Sequence, residues 1–153
     1  INSDEAIALM KEAGPAVVVV NGTRILKPRT LAEVDAVSIN THQGMTPRYR
    51  GAHGAYWALH QNDAEHCGVT VHVVDEGIDT GAVISQARIN ATAKDNFASY
   101  PYLQTAAALP LLTAAVLAGT EGTLSTQLVE GPSAMWYHPG FFEYLWATRR
   151  GIF

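Results

Sequence analysis

The sequence predicts an α/β fold in which a mostly parallel, Rossmann-like sheet is flanked by helices. Three observations lead to this prediction. Short β-branched runs alternate along the chain with segments of helical periodicity. The runs at 16–20 and 36–39 are continuously apolar, as strands are when both faces are covered. Polar residues follow directly after the second run, at the place where open α/β sheets bind ligands.

The first half of the chain divides into four predicted elements. In order these are a helix over 2–13, strands over 16–20 and 36–39, and a helix over about 52–61. The opening helix has apolar residues at helical spacing, with Asn2 or Ser3 as its N-cap and Gly14 as its stop. The second helix follows a turn that is rich in Gly and Pro.

The second half begins with two strands and continues into a long apolar segment. Its predicted elements are strands over 68–75 and 81–89, a helix over about 97–118 and a weak strand over 124–130. The short EGIDT turn allows the first two strands to pair antiparallel. Pro101 and Pro110 are expected to start, kink or break the long helix.

Composition limits the range of functions. A chain of 153 residues with 48% hydrophobic residues is expected to form one globular domain. Its formal charge of −4 argues against a nucleic-acid partner or an anionic membrane surface. The single Cys67 suits a reducing compartment, so we expect a cytoplasmic protein. No apolar run approaches the roughly 20 residues of a membrane span, and we therefore expect no stable membrane insertion.

Two strand ends carry polar side chains that can perform chemistry. Asn40 and His42 follow the second predicted strand, and Asp75 and Asp79 follow the third. Because residues i and i+2 of an extended chain share a face, Asn40 and His42 can point at one spot. An amide N–H beside an imidazole suits a developing oxyanion, and a carboxylate from another loop could orient and charge the imidazole. On local chemistry alone, both residues could equally cap a turn.

A specific set of motifs extends this pattern. SINTHQGMTPRYRGAHGAYWAL (38–59) contains N-x-H and P-x-Y-R-G, and HCGVTVHVVDEGIDTGAVISQ (66–86) contains G-V-T-x-H-x-V-D-x-G-x-D-T-G. From about Val17 to Ala87 the chain closely resembles the folate-dependent formyltransferases, which act on glycinamide ribonucleotide, methionyl-tRNA and amino sugars. The resemblance implies that 10-formyltetrahydrofolate is the formyl donor and that no metal is required.

The resemblance also implies roles for particular residues. Asn40, His42 and Asp79 match the catalytic constellation, in which a protonated His42 and the Asn40 amide stabilise the oxyanion and Asp79 keeps His42 charged. The residues that match the folate-binding segments are Arg24, Ile25, Leu26, Val74, Asp75, Gly77 and Ile78. The residues expected on the acceptor side are Tyr49, Arg50 and Gly51. Ile25 and Leu26 could instead be ordinary core residues. The His and Cys residues lack paired ligand spacing, so no metal site is predicted.

Departures from the family pattern affect the expected acceptor. About forty residues precede Asn40, where full members have roughly a hundred, so residues 1–153 are expected to form one partial catalytic domain that begins after the first strands. A small amine, with a nucleotide-linked amino sugar preferred, is favoured over methionyl-tRNA, since the chain has no basic surface or accessory domain for tRNA. The initial Ile1 suggests a processed, excised or partial chain.

The same departures leave other readings open. An exposed VVVV edge and an aromatic C-terminal segment, about 135–153, suggest a homo-oligomer. That aromatic segment could also lie against a membrane surface. Two further alternatives are a formyltetrahydrofolate hydrolase and a non-catalytic module that binds folate or a partner chain.

Overall fold

The computed structural model describes residues 1–152, and Phe153, the last residue of the predicted aromatic segment, lies outside the described residues. In chain order its elements are α1 (Asp4–Ala13), β1 (Val17–Val20), α2 (Pro28–Glu33), β2 (Val37–His42), β3 (Arg50–Gly51), α3 (Gly54–His60), a 3₁₀ turn (Ala64–His66), β4 (Gly68–Val73), β5 (Val83–Arg88), α4 (Tyr100–Thr120), β6 (Met135–Trp136) and α5 (Phe141–Thr148).

The main sheet has the strand order β1-β2-β4-β5. β1 runs parallel to β2, whereas β2 with β4 and β4 with β5 are antiparallel. The predicted α/β class is confirmed, and so is the antiparallel pair across the EGIDT turn. Among the described strands the sheet is more mixed than predicted, because the short link between β4 and β5 permits only a hairpin-like return.

The helices begin and end close to the predicted positions. Ser3 is the N-cap of α1, where its side chain accepts a hydrogen bond from Ala6 N at 3.2 Å, and Gly14 ends the helix in the left-handed conformation. Pro101 lies in the first turn of α4, as expected. Pro110 lies inside α4 but does not break it.

Helix α4 lies across one face of the sheet and contacts all four strands. Gln104 of α4 is buried, and its side-chain amide donates a hydrogen bond to the carbonyl of Gly68 at 2.7 Å. Ala115 packs with Ile39 and Val71 in the core between helix and sheet. Helix α4 thus supports the strands that carry the polar residues described below.

Helix α4 is also long and apolar enough to cross a membrane. It is the one helix among residues 1–152 with these properties. The sequence-based search for a continuous apolar run did not anticipate it, because Gln104 and two threonines interrupt the segment. A single helix of this kind is weak evidence for a membrane location.

The C-terminal part of the chain differs most from the prediction. Residues 124–130 do not form the predicted strand, since they contribute one isolated bridge between Gln127 and Val83. Two strands that were not predicted, β3 and β6, pair in parallel. Trp136 on β6 stacks on Tyr49 and Trp57, so this part of the aromatic segment packs into a second core.

Candidate functional site

The carboxylate of Asp79 brings the predicted catalytic residues together. Its Oδ2 lies 3.3 Å from Nδ1 of His42, and its Oδ1 lies 3.5 Å from Nδ2 of Asn40. Asn40 and His42 occupy the end of β2, while Asp79 comes from the loop after β4. The structure therefore has the convergence that the i, i+2 spacing predicted.

Backbone geometry fixes the position of Asp79. Asp79 has a φ of +52°, a conformation that is uncommon for a residue with a side chain. The backbone N–H of Gly51 donates to Asp79 Oδ2 at 3.0 Å. Gly51 has a φ of +91°, and a Cβ there would lie 2.2 Å from the carbonyl oxygen of Trp136. Gly51, which was predicted on the acceptor side, thus holds the carboxylate in place through the β3–β6 pair.

His72 is a member of the site that the sequence reasoning treated as an ordinary strand residue. It lies opposite Asn40 in the β2–β4 register and is 2% exposed. Its Nδ1 lies 2.8 Å from the carbonyl oxygen of Val73, which can only accept, so Nδ1 carries the proton. Its Nε2 then accepts from Asn40 Nδ2 at 3.2 Å and lies 3.6 Å from Asp79 Oδ1. The signal that could have found it is strand alternation, which puts His72 on one face with Thr70.

Burial and the Asp79 carboxylate act in opposite directions on the pKa of His42. Its Nε2 donates to the carbonyl of Tyr49 at 2.6 Å, and its Nδ1 faces Asp79. Burial lowers the pKa of His42, and the attraction of Asp79 only partly opposes this. Asp79 thus acts on His42 in the expected direction, while burial opposes it, and the role of a charged His42 stays a prediction. Both ring nitrogens face protein acceptors, the Tyr49 carbonyl and the Asp79 carboxylate, so His42 donates to both only when it is protonated and presents no free N–H to a ligand.

A cavity of about 170 Å³ opens on the Asn40 and Asp79 side of this cluster. We call it the β2–β4 cavity. It is lined by Val20, Gly22, Thr23, Arg24, Ile25, Leu26, Asn40, His72, Val74, Asp75, Gly77, Ile78 and Asp79. All seven residues predicted to bind folate lie in this set. Leu26 is buried, as the core alternative required, whereas Ile25 is 65% exposed.

Hydrogen bonds hold both walls of the β2–β4 cavity. Asn2 donates to the carbonyl of Ile25 and accepts from the backbone N–H of Lys27, both at 2.9 Å, which ties one wall to the start of α1. Asp75 accepts from Gly77 N and from the hydroxyl of Thr80, which closes the loop that forms the other wall. Asn2 was predicted only as a possible helix cap, because a contact across 25 residues leaves no local sequence pattern.

A second, larger cavity of about 440 Å³ opens on the His42 side. We call it the α4 groove. It is lined by Asn21, Gly22, Thr41, His42, Gln43, Gly51, Ala52, His53, Pro101, Thr105, Ala108, Leu109, Leu112 and His138. The hydroxyl of Thr41 is buried and has no hydrogen-bond partner among the described residues. The three-residue cluster thus lies between two cavities.

Two of the three predicted acceptor-side residues lie elsewhere. The ring of Tyr49 is 2% exposed and stacks on Trp136, and its hydroxyl donates to Asp63 at 2.9 Å. This corrects the expectation for Tyr49, whose backbone carbonyl instead holds His42. Arg50 donates to the carbonyl of Ile78 at 3.1 Å and lines a different cavity, next to Asp79.

No cluster of three or more His, Cys, Asp or Glu residues that could hold a metal ion occurs in residues 1–152. In the group of Asn40, His42, His72 and Asp79, both imidazoles are hydrogen-bonded to backbone carbonyls.

Comparison with known proteins gives consistent results. A family profile described as Formyl transferase matches residues 2–106. Methionyl-tRNA formyltransferase from Burkholderia orbicola (strain MC0-3) is 36% identical over 122 residues, which cover 78% of this chain and 37% of that protein. The chain therefore spans less than two fifths of the length of this relative.

Solved structures show the same fold. A sugar N-formyltransferase from a Shewanella species has a TM-score of 0.74 at 19% identity, over 97% of this chain and 64% of that one. An N-formyltransferase from Helicobacter canadensis, in complex with folinic acid and dTDP-3-aminofucose, has a TM-score of 0.63 at 20% identity, over 76% of this chain and 43% of that one.

Proposed function

Because this chain belongs to the formyl transferase family, we propose that it carries the catalytic site of an enzyme that moves a formyl group from 10-formyltetrahydrofolate to the amine of a small acceptor. The preferred acceptor is a nucleotide-linked amino sugar. The observation that carries the proposal is the position of Asn40, His42 and Asp79 between two cavities. A donor in one cavity and an acceptor in the other would meet at these residues.

The β2–β4 cavity is the proposed folate site. Its walls combine apolar side chains, among them Leu26 and Val74, with backbone groups of two loops. A pterin has two flat faces and amide-like edges, which suit such walls. The Helicobacter canadensis structure, which contains folinic acid, supports a folate at this kind of site.

The transfer balances without any further reactant. The amine nitrogen attacks the formyl carbon and forms a C–N bond, and the carbonyl oxygen carries the negative charge. The C–N bond to the folate then breaks, and the proton lost by the amine passes to the folate nitrogen. The carboxylate of Asp79 lines the β2–β4 cavity, lies 3.3 Å from His42, which lines the α4 groove, and is the group we assign to carry this proton.

Asn40 supplies the oxyanion donor in this proposal. Its Nδ2 makes only long hydrogen bonds, 3.2 Å to His72 and 3.5 Å to Asp79. A formyl oxygen that enters the β2–β4 cavity can therefore take over one of its N–H groups at small cost. One such donor contributes roughly 3–4 kcal/mol to transition-state stabilisation.

The α4 groove is the proposed acceptor site. The face of α4 forms an apolar wall, while Gln43, Thr41 and His53 form a polar one. The unpartnered hydroxyl of Thr41 offers a hydrogen bond to a polar acceptor. A sugar ring has one apolar face and hydroxyl edges, and dTDP-3-aminofucose in the Helicobacter canadensis structure supports this class.

Methionyl-tRNA is a second candidate acceptor, since the Burkholderia orbicola relative, at 36% identity, is a methionyl-tRNA formyltransferase. The net charge of −4 weighs against it, because binding of a polyanion relies on basic side chains. The preference for a small amine therefore rests on charge and on the size of the α4 groove.

One assay tests these proposals. The purified chain is incubated with 10-formyltetrahydrofolate alone, with dTDP-3-aminofucose, with glycinamide ribonucleotide and with methionyl-tRNA, and formyl products are measured. Product only with an amine supports the transferase, and the productive amine identifies the acceptor class. Tetrahydrofolate formed without an amine indicates the hydrolase, and folate binding without turnover indicates a non-catalytic module.

We place this activity in the cytoplasm and expect the chain to act as a homo-oligomer. The first expectation rests on Cys67, which is a free, buried thiol that suits a reducing compartment. The second rests on exposed apolar surface at the edge strand β1 and on α5.

A further inference from the structure

Two histidines from distant parts of the chain meet at the rim of the α4 groove. Nε2 of His53 lies 2.7 Å from Nδ1 of His138, which is hydrogen-bonding distance. Both residues line the groove that also contains His42. The ring of Phe97 packs against His53, with ring centroids 4.3 Å apart. Neither histidine contacts the cluster of Asn40, His42, His72 and Asp79 through a hydrogen bond.

The pair has unused hydrogen-bonding capacity. A hydrogen bond between two imidazoles occupies one nitrogen of each ring, so Nδ1 of His53 and Nε2 of His138 remain. Within residues 1–152 neither of these two atoms has a hydrogen-bond partner. Because His138 is exposed and His53 half-buried, a ligand in the groove can reach the pair.

The charge of the groove indicates what kind of ligand the pair suits. The lining described for the α4 groove contains no Asp, Glu, Lys or Arg. Apart from His42, which is buried and engaged with Tyr49 and Asp79, His53 and His138 are the lining groups that can gain positive charge. Arg50 lines a different cavity. An anionic part of an acceptor that enters the groove can therefore be neutralised only by this pair.

The contact between the two rings favours an anion as well. Burial and the neighbouring His138 both lower the pKa of His53, because two adjacent imidazoles resist being charged together. A phosphate that accepts hydrogen bonds from both rings would remove this repulsion. The lowered pKa keeps His53 mostly neutral in the free chain, and an anion that accepts hydrogen bonds from both rings would raise it.

We propose that His53 and His138 together bind a phosphoryl group of the acceptor at the rim of the α4 groove. This inference rests on the proposed function, in which the groove holds a nucleotide-linked acceptor. His138 lies outside residues 2–106, which match the family profile. The C-terminal segment would thus supply a specificity-determining residue of its own to a groove whose other polar lining residues all lie within the matched range.

The test measures binding without folate, so it does not depend on catalysis. UDP, inorganic pyrophosphate and glucosamine are titrated into the chain, and binding is followed by calorimetry and by imidazole ¹H–¹⁵N spectra. The test variants are His138→Gln and His53→Asn. Asn is chosen at position 53 because it tolerates the φ of +58° there. The control variant is Tyr137→Phe, at an exposed position next to His138. Circular dichroism checks that each variant folds.

We expect UDP and pyrophosphate to bind and to shift the His53 and His138 signals, and glucosamine to leave these signals unchanged. Each histidine substitution should weaken UDP binding about tenfold or more, as loss of a charge-assisted hydrogen bond does, while Tyr137→Phe should not. Absence of UDP binding, or an affinity that changes less than about twofold in both histidine variants, would overturn the proposal. If UDP binds as expected but no formyl product forms, the proposed function fails and the phosphoryl site stands.

Discussion

At the scale of single residues, the site depends on Asp79. Its two carboxylate oxygens contact different partners, with Oδ1 facing Asn40 and His72 and Oδ2 facing His42 and Gly51. The hydrogen bonds and the neighbouring imidazoles lower the pKa of Asp79 although burial opposes them. Asp79 is therefore ionised at neutral pH and can receive a proton only transiently.

The first prediction concerns the substitution Asp79→Asn. Asn keeps the shape of the side chain and tolerates a positive φ, so the fold should persist. Loss of the carboxylate should reduce kcat/KM for formyl transfer about 100-fold or more, since proton transfer by a positioned group contributes on this scale. Binding of 5-formyltetrahydrofolate, measured by calorimetry, should change little. Asp35→Asn, at an exposed position, is the control, and equal activity in both variants would contradict the role of Asp79.

The second prediction concerns pH and His42. Because the pKa of His42 is lowered in the folded state, the unfolded chain binds more protons below about pH 6.5. The free energy of unfolding should therefore fall as the pH drops from 7.5 to 5, in the window where the unfolded His42 gains a proton and the folded one does not. Urea titrations at both pH values test this. In His42→Gln the decrease should be smaller, and an unchanged pH dependence would show that His42 does not cause it.

Part of this residue-level arrangement could be predicted from the sequence. Asn40 and His42 were found because strand spacing places i and i+2 on one face, and Asp79 because of its motif. His72 was missed because strand alternation gives its face but not the pairing of β4 with β2, and the carbonyl of Tyr49 was missed because a contact by a backbone atom leaves no side-chain pattern. The effect of burial on the pKa of His42 was missed because the sequence does not show how deeply a side chain is buried.

At the scale of elements, α4 connects the site to the rest of the fold. Its apolar composition and both prolines were visible in the sequence, and so was its approximate range. The sequence could not show that Gln104 faces inward, because the helix is apolar around most of its circumference and has no clear polar face. The two-residue strands β3 and β6 were also missed, since strands this short have no measurable periodicity.

The third prediction tests this connection with Gln104→Leu. The substitution removes the donor to the Gly68 carbonyl and leaves a buried acceptor without its partner. We expect a loss of about 1–3 kcal/mol in the free energy of unfolding, measured by urea titration. Leu117→Gln, at an exposed position of the same helix, should change stability by less than about 0.5 kcal/mol. A stable Gln104→Leu variant would mean that packing alone holds α4 on the sheet.

At the scale of the whole molecule, exposed apolar surface remains in two places. β1 is an edge strand of the described sheet, with Val19 46% exposed. On α5, Phe141 and Phe142 are 71% and 82% exposed, although Tyr144 of the same helix packs against Tyr56 and Phe97. An open β-branched edge can pair with another chain, and exposed aromatic patches mark interaction surfaces. The open edge was predicted from the first strands that the family resemblance implied to be missing, and the aromatic segment from composition, whereas the exposure of each side chain required the structure.

The last prediction is that the chain forms a homo-oligomer through one of these surfaces. Val19→Lys places a charge on the edge, and Phe142→Ser removes the most exposed aromatic ring of α5. Because charged side chains oppose edge pairing, sedimentation should show a smaller species for the variant whose surface forms the interface. The other variant should keep the wild-type sedimentation coefficient and so acts as its control.

If the wild-type chain sediments as a monomer at micromolar concentration, the oligomer is excluded and the exposed rings must have another partner. If both substitutions leave an oligomer intact, the interface lies elsewhere, and the exposed face of α4, with Leu109 and Leu117, is the next surface to test.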